Sequence, residues 1–205
     1  MSAPERRDPQ DAVFAPEELL RALPTPCYVY DEAQLRTRAA RLRSAFSWSA
    51  GFRAWFPVRA LPNPTVLRIL REEGQGALCV TAGEYRLALA SGFSPESIRF
   101  APEFPTDTEL AVPAADLVLD DGGLLLRLER ERPLPARLGL RLRPDPDRSF
   151  HKAEATRFGM RTGELLDTAQ ELRLKGVREV GLSAMLGLGL RDPEAFSALA
   201  RALFT

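Results

Sequence analysis

The sequence has no excess of charge of either sign. Its 205 residues include 28 basic and 28 acidic side chains, so the formal net charge is zero. A neutral chain has no general electrostatic attraction to nucleic acid or to an anionic membrane surface. We therefore expect neither nucleic acid nor a membrane among its partners.

Long hydrophobic runs and cysteine are equally scarce. No apolar stretch reaches the roughly 18 residues of a membrane-spanning helix, and the charged N-terminal segment lacks the apolar core of a secretory signal. Two cysteines, Cys27 and Cys79, are too few for a disulfide framework and form no metal-binding pattern. We expect buried free thiols, no metal site and a cytoplasmic location.

Lysine and histidine are scarce as well. Lys152 and Lys175 are the only lysines, and His151 is the only histidine. His151 lies in the polar segment "DPDRSFHKAEAT", which indicates a surface position and not a catalytic base. Lys152 falls in the same loop and Lys175 near a helix end, so neither is the expected position for a nucleophile.

The chain does contain a regular alternation of short apolar runs and helical segments. Asp31 is the expected N-cap of the helix "EAQLRTRAARLRSAF", and Gly74 and Gly92 are expected to end later helices. Strands are predicted in "PCYVY", "FRAWFPVRA", "GALCV", "SIRFAPEF", "ADLVLDD", "ARLGLRLRP" and "VREVGLSAML".

Such an alternation predicts βα units and a parallel sheet, because parallel neighbours need a crossover helix. The sheet could be open and doubly wound, or it could belong to a (β/α)8 barrel. No glycine-rich phosphate-binding fingerprint follows the first barrel-type strand, "FRAWFPVRA", where the chain reads "VRALPNP". This absence disfavours the doubly wound dinucleotide-binding fold.

A collinear series of local patterns extends from about Thr25 to about Phe196. It comprises "TPCYVYDEAQLRTRAARLRSAF", "FPVRALPNPTVLRILREEGQGALCVTAGEYRLALASGFSPESIRF", "LRLRPDPD", "TRFGM" and "VGLSAMLG". The series resembles the N-terminal barrel of diaminopimelate decarboxylase and its relatives, the pyridoxal-phosphate (PLP) enzymes of the alanine-racemase-like fold. The resemblance implies an N-terminal extension over residues 1–24 and a partial barrel domain over residues 25–205.

The resemblance makes one position decisive. In that family the strand that reads "FPVRA" here ends in a lysine, whose amine forms the Schiff base with PLP; this chain has Arg59 there. A guanidinium stays protonated and its nitrogen lone pairs are delocalised, so it cannot act as the amine. The resemblance therefore implies that catalysis has been lost.

Further positions depart from the family pattern. Leu78 replaces an aspartate, Leu61 an asparagine, and Ser183 lies on the strand that usually carries histidine. The family glutamate survives as Glu84, although a residue at a helix start can also serve as a cap. The vestigial cofactor contacts implied by the resemblance are Arg59, Glu84, Arg157 and Ser183, and any residual binding would be weak and electrostatic, from Arg59 or Arg157.

Six barrel strands are predicted, the first ending at Arg59 and the last at Met185, where eight are needed to close a barrel. We therefore expect an α/β fold, an incomplete (β/α)8 TIM-type barrel without strands seven and eight and without the C-terminal β-domain. The first and sixth strands would expose unpaired edges. We expect self-association, as a homo-oligomer, or a second polypeptide that completes the barrel.

Three hypotheses on function remain. The chain is a degenerate or truncated relative of a PLP-dependent amino-acid decarboxylase without catalysis, or half of a split barrel that acts as a binding subunit. Alternatively, it is an active decarboxylase that uses a non-standard anchor. The sequence favours the first, because Lys152 and Lys175 are poorly placed.

Overall fold

The computed structural model describes residues 16–144, 158–185 and 192–204. The helices are α1 (Pro16–Ala22), α2 (Glu32–Ala45), α3 (Pro64–Glu72), α4 (Ala82–Ala90), α5 (Asp107–Leu110), α6 (Gly123–Glu131), α7 (Thr162–Leu174) and α8 (Pro193–Phe204). The strands are β1 (Trp55–Pro57), β2 (Gly76–Cys79), β3 (Ile98–Phe100), β4 (Asp116–Leu119), β5 (Arg137–Leu142) and β6 (Glu179–Ala184).

The six strands form one sheet in the order β1-β2-β3-β4-β5-β6, and all neighbours are parallel. Right-handed crossovers without a reversal of strand order bring the connecting helices to one face of the sheet. The predicted incomplete (β/α)8 barrel with six strands is therefore confirmed. The doubly wound alternative is excluded, because its strand order reverses.

Polar caps begin the helices where the sequence places short polar side chains. The Asp31 carboxylate accepts the Gln34 backbone N–H at 3.0 Å, which confirms the predicted cap of α2. Asn63 caps α3, whose first residue is a proline, and Thr106 forms a reciprocal capping box in α5. These contacts satisfy backbone donors that the first helical turn leaves free.

The core lies between the sheet and its helices. Alternate strand residues point to this face, as the two-residue period of a strand requires. Its fully buried side chains include Ile98, Phe100, Leu117, Leu119, Leu138 and Leu140 from the strands, and Leu125, Leu128 and Leu172 from the helices. The apolar runs in the sequence therefore supply both layers of one continuous core.

The other face of the sheet, which we call the inner face, carries charged, small and some larger apolar residues. Trp55, in register with Gly76, lies under the Arg99 guanidinium, whose central carbon is 4.6 Å from the ring centroid. Arg99 also donates to Asp116 at 2.8 Å. Along this face a cation–π contact and an ion pair thus join β1, β3 and β4.

Two expectations need correction, and one helix was not expected. No strand forms over residues 24–30, which are exposed, because no described strand lies beside them to accept the backbone hydrogen bonds. Helix α1 was not predicted. Cys27 is exposed, whereas Cys79 is buried as expected, and burial raises the pKa of the Cys79 thiol to about 12.

No helix in the described part of the chain is long and apolar enough to cross a membrane.

Replacing Gly76 with alanine tests the register between β1 and β2. A Cβ at Gly76 would lie 2.4 Å from Cε3 of Trp55 and 3.1 Å from the Ser97 carbonyl oxygen. The Trp55 ring would have to move away from Arg99, so we expect Gly76→Ala to lower the free energy of unfolding by about 1–3 kcal/mol in urea titrations.

The matched control is Gly163→Ala in α7, where nothing lies within 4 Å of the added Cβ. We expect this variant to be as stable as the wild type or slightly more stable, because alanine favours the helix. Equal stability of the two variants would contradict the described packing of Trp55 on β2.

Candidate functional site at the carboxyl edge

The carboxyl ends of the parallel strands meet at one edge of the sheet, which is where barrel enzymes carry their catalytic groups. β1 ends at Pro57, and a single 3-10 turn over Val58–Ala60 follows. Val58 is fully buried in the core and anchors this turn, whereas the Arg59 side chain is half exposed. The local structure thus presents Arg59 at the carboxyl edge, as predicted from the sequence.

Arg59 is held by two carboxylates from the neighbouring strand ends. Its Nη1 lies 3.4 Å from both carboxylate oxygens of Glu103, and its Nε lies 4.0 Å from Oε1 of Glu84. We call these three residues the Arg59 cluster. The cluster connects the ends of β1, β2 and β3.

Glu84 has two roles in this arrangement. Its backbone N–H donates to Thr81 Oγ1 at 3.2 Å, and its carboxylate accepts the Val80 backbone N–H at 2.9 Å. Thr81 is thus the N-cap of α4, whereas Glu84 lies in the first turn, where its carboxylate accepts the Val80 N–H in addition to its contact with Arg59. The hydrogen bond from Val80 holds the carboxylate in place.

Glu103 was missed in the sequence analysis. It lies three residues beyond the end of β3, in the segment "APEFPTD". A polar residue just after a buried strand is a signal for a position at the carboxyl edge. Only the fold, however, brings Glu103 to Arg59, which is 44 residues away in sequence.

A second ion pair lies farther along the edge and is buried. Arg141 Nη1 is 2.8 Å from Asp120 Oδ1, without the geometry of a hydrogen bond, and both residues are 7% exposed. Burial raises the pKa of the Asp120 carboxyl to about 6; the nearby Arg141 charge opposes this rise, and the charges of Glu103 and Asp121 add to it. The pKa of the Asp120 carboxyl, which lies at this edge, is thus close to neutral pH.

An open cleft of about 560 Å³ lies beside this pair. The aromatic rings of Phe104 and Phe158 stand at its rim with centroids 6.1 Å apart. Its charged lining residues are Glu103, Asp120, Asp121, Arg127, Arg143 and Glu164. Glu103 therefore belongs both to this cleft and to the Arg59 cluster.

The other predicted site residues do not join the Arg59 cluster in the described structure. Ser183 lies on β6, in register with Arg141 and at the opposite end of the strand order from β1. No hydrogen bond or ion pair within the described residues links Ser183 to Arg59. Arg157 lies outside the described residues, as do His151 and Lys152.

These residues do not fit a covalently held pyridoxal cofactor. Such a site requires an amine that can lose its proton, and the strand end carries the guanidinium of Arg59 instead. Lys175, the one lysine in the described part, follows α7 at the opposite edge, with Nζ 2.8 Å from Glu129 and 3.4 Å from Glu171. The hydrogen bond that Lys175 donates to Glu129 raises the pKa of the lysine, which keeps it protonated.

The described residues also include no group of three or more histidine, cysteine, aspartate or glutamate side chains arranged to hold a metal ion.

Asp120 makes stability depend on pH in a defined window. The folded protein holds a proton at Asp120 up to about pH 6, whereas the ordinary carboxyl releases it near 3.8. Stability from this group is fully present below pH 3.8 and is lost as the pH rises through about 6. We expect an Asp120-dependent fall in the free energy of unfolding on the order of 2 kcal/mol across this window.

The measurement is urea unfolding of the wild type and of Asp120→Asn at closely spaced pH values. The asparagine cannot titrate, so the difference in stability between the two proteins should change only within this window. Asp167→Asn, which alters an exposed carboxylate of α7, serves as the control and should keep the wild-type profile. A constant difference between wild type and Asp120→Asn would contradict the raised pKa.

Comparison with known proteins identifies the family. Residues 32–205 match the model of the pyridoxal-dependent decarboxylase pyridoxal-binding domain. The chain is 33% identical over 188 residues to diaminopimelate decarboxylase of Methanothermobacter thermautotrophicus, a match that covers 87% of this chain and 44% of that protein. It is 32% identical over 149 residues to ornithine decarboxylase of Schizosaccharomyces pombe, covering 69% of this chain and 33% of that protein.

The fold is shared with solved structures. The crystal structure of diaminopimelate decarboxylase from M. jannaschii superposes with a TM-score of 0.80 at 21% identity, covering 91% of this chain and 48% of that one. The chain thus spans about half the length of the proteins it matches, or less. Its fold and its sequence together show that the chain belongs to the pyridoxal-dependent decarboxylase family, through the pyridoxal-binding domain.

Proposed function

We propose that this chain is a degenerate, catalytically inactive relative of the PLP-dependent amino-acid decarboxylases. The observation that carries the proposal is Arg59, which takes the place of the family's lysine at the end of β1 and is bound by Glu103 at 3.4 Å. A guanidinium in an ion pair is neither nucleophilic nor able to lose its proton at neutral pH.

The pattern of replacements supports the same proposal. Leu78 and Leu61 are apolar where the family has polar side chains, and both lie close to the Arg59 turn in the chain or the sheet. The core beneath them remains closely packed, with Leu67, Ala77 and Cys79 fully buried. Loss of polar cofactor contacts with retention of the core is the result expected when a protein loses its catalytic activity and keeps its fold.

A second candidate function is that of a binding subunit, completed by a second polypeptide or by another copy of the chain. It is favoured by the two edges of the sheet, since β1 and β6 each pair with one described neighbour only. Leu182 of β6 is 51% exposed, and Val180 is only partly buried. An unpaired, apolar edge strand recruits another chain.

We also propose a cytoplasmic location. Cys27 and Cys79 are both free, and Cys27 is exposed, an arrangement typical of proteins kept in a reducing compartment.

The inactive state is tested by incubation of the wild-type protein with PLP, reduction with borohydride and peptide mass spectrometry. We expect no specific pyridoxyl adduct and no release of carbon dioxide from diaminopimelate, ornithine, arginine or lysine. Diaminopimelate decarboxylase of Methanothermobacter thermautotrophicus serves as the positive control. A specific adduct on Lys152 or Lys175, together with turnover, would overturn the proposal in favour of an active enzyme with a non-standard anchor.

The open edge is tested with Leu182→Lys, which places a charge on the exposed strand. We expect the wild type to self-associate in sedimentation velocity and to bind a hydrophobic-surface dye. The variant should show weaker self-association and weaker dye binding. Leu126→Lys is the matched control, because Leu126 is 58% exposed on α6, away from the edge strands. Equal effects of the two variants would argue against an interface at β6.

A further inference from the structure

We propose that Glu103 and Glu84 form a binding site for a cationic group at the carboxyl edge. The Arg59 guanidinium of the same chain occupies this site. In this arrangement the negative charge of Glu103 keeps an amine at position 59 in its protonated form. The same charge disfavours the approach of an anionic cofactor. The inference rests on the proposed function in one respect, since it takes Arg59 to stand at the family's lysine position.

The two carboxylates are placed to hold a cation and have little freedom to turn away from one. Their side chains are only 16% and 22% exposed, for Glu84 and Glu103 respectively, whereas that of Arg59 is 50% exposed. Glu84 is fixed by the Val80 backbone N–H. Without a cation between them, two carboxylates would face each other with reduced solvation, which is unfavourable.

A lysine restored at position 59 would therefore be held as an ammonium ion. Its Nζ would lie near the place of the Arg59 guanidinium, whose Nε is 4.0 Å from Glu84 and whose Nη1 is 3.4 Å from Glu103, and so close to these negative charges. Nearby negative charges raise the pKa of an amine, because they favour its protonated form. Attack on an aldehyde needs the neutral amine, whose lone pair forms the C–N bond before water leaves, so the substitution alone would not restore reactivity.

The same edge is unfavourable for a phosphate. Glu103 also lines the cleft, together with Asp120, Asp121 and Glu164. Two of the nearby arginines are engaged, Arg141 with Asp120 at 2.8 Å and Arg127 with Asp107 at 2.6 Å. Arg143 then remains against two further carboxylates of the cleft, Asp121 and Glu164, so the cleft offers an incoming phosphate no excess of positive charge.

Glu103 is the better of the two carboxylates to alter. Glu84 also lies in the first turn of α4 and accepts the Val80 backbone N–H, so its replacement would combine an electrostatic change with the loss of that hydrogen bond. The described hydrogen bonds and ion pairs of the Glu103 side chain go to Arg59 alone. Glutamine at this position removes the charge and keeps the shape.

The experiment compares Arg59→Lys, the double variant Arg59→Lys with Glu103→Gln, and a control that combines Arg59→Lys with Glu131→Gln. Glu131 is an exposed residue at the end of α6, at the opposite edge of the sheet. The rate at which trace acetic anhydride acetylates the lysine introduced at position 59 is measured from about pH 6 to about pH 10, a range that includes conditions near the pKa of an ordinary lysine. The acetylation rate of Lys175 in the same molecule is the internal reference, because it reports on the folding of the variant and on the amount of reagent.

We expect the introduced lysine to be acetylated about three- to tenfold faster near neutral pH in the Glu103→Gln double variant than in Arg59→Lys, with the pH profile shifted to lower pH. The Glu131→Gln double variant should behave like Arg59→Lys. A second readout uses PLP itself as the probe: borohydride-trapped adduct at position 59 should increase only when Glu103 is replaced.

Equal acetylation at position 59 in all three variants, or efficient adduct formation in Arg59→Lys alone, would overturn the inference about Glu103. Either result would leave the inactivity of the wild type untouched. Conversely, an adduct on Lys152 or Lys175 of the wild type would overturn the proposed function but not the Glu103 inference. The two failures are therefore distinguishable.

Discussion

The burial of one leucine-rich face of the sheet under its helices is the interaction on which the described structure depends. Leu117, Leu119, Leu138 and Leu140 alternate along β4 and β5 and are closed off from water. Because every second strand residue points to this layer, the register of each strand is set by its apolar residues. The opposite, inner face therefore carries the other strand residues, including Arg99, Asp116 and Arg141.

This packing also determines the chemistry of the carboxyl edge. Val58 and Phe100 are buried in the core, and the residues that follow them emerge at the edge. Arg59 and Glu103 therefore meet although they are distant in sequence. An apolar layer that has nothing to do with a cofactor thus decides which charges face each other at this edge.

Two groups of ion-paired side chains form at the edge that results. Arg59 is shared by Glu84 and Glu103, and Arg141 is held by Asp120 in a buried pair. Buried or partly buried pairs of this kind contribute little net stability, but they are costly to break on one side only. At position 59 the carboxylates favour any cation, so a lysine placed there would stay protonated, which links the proposed loss of catalysis to the local electrostatics.

The sequence by itself determined the class of fold, because alternating apolar runs and helical segments follow from local periodicity and capping. It also identified Arg59, since a permanently charged guanidinium excludes imine chemistry whatever surrounds it. It wrongly predicted a strand over residues 24–30, because an apolar run becomes a strand only when a neighbour accepts its hydrogen bonds. Only the tertiary structure decided that Glu103 pairs with Arg59 and that Asp120 is buried with Arg141, because both depend on strand order and on solvent exclusion between distant segments.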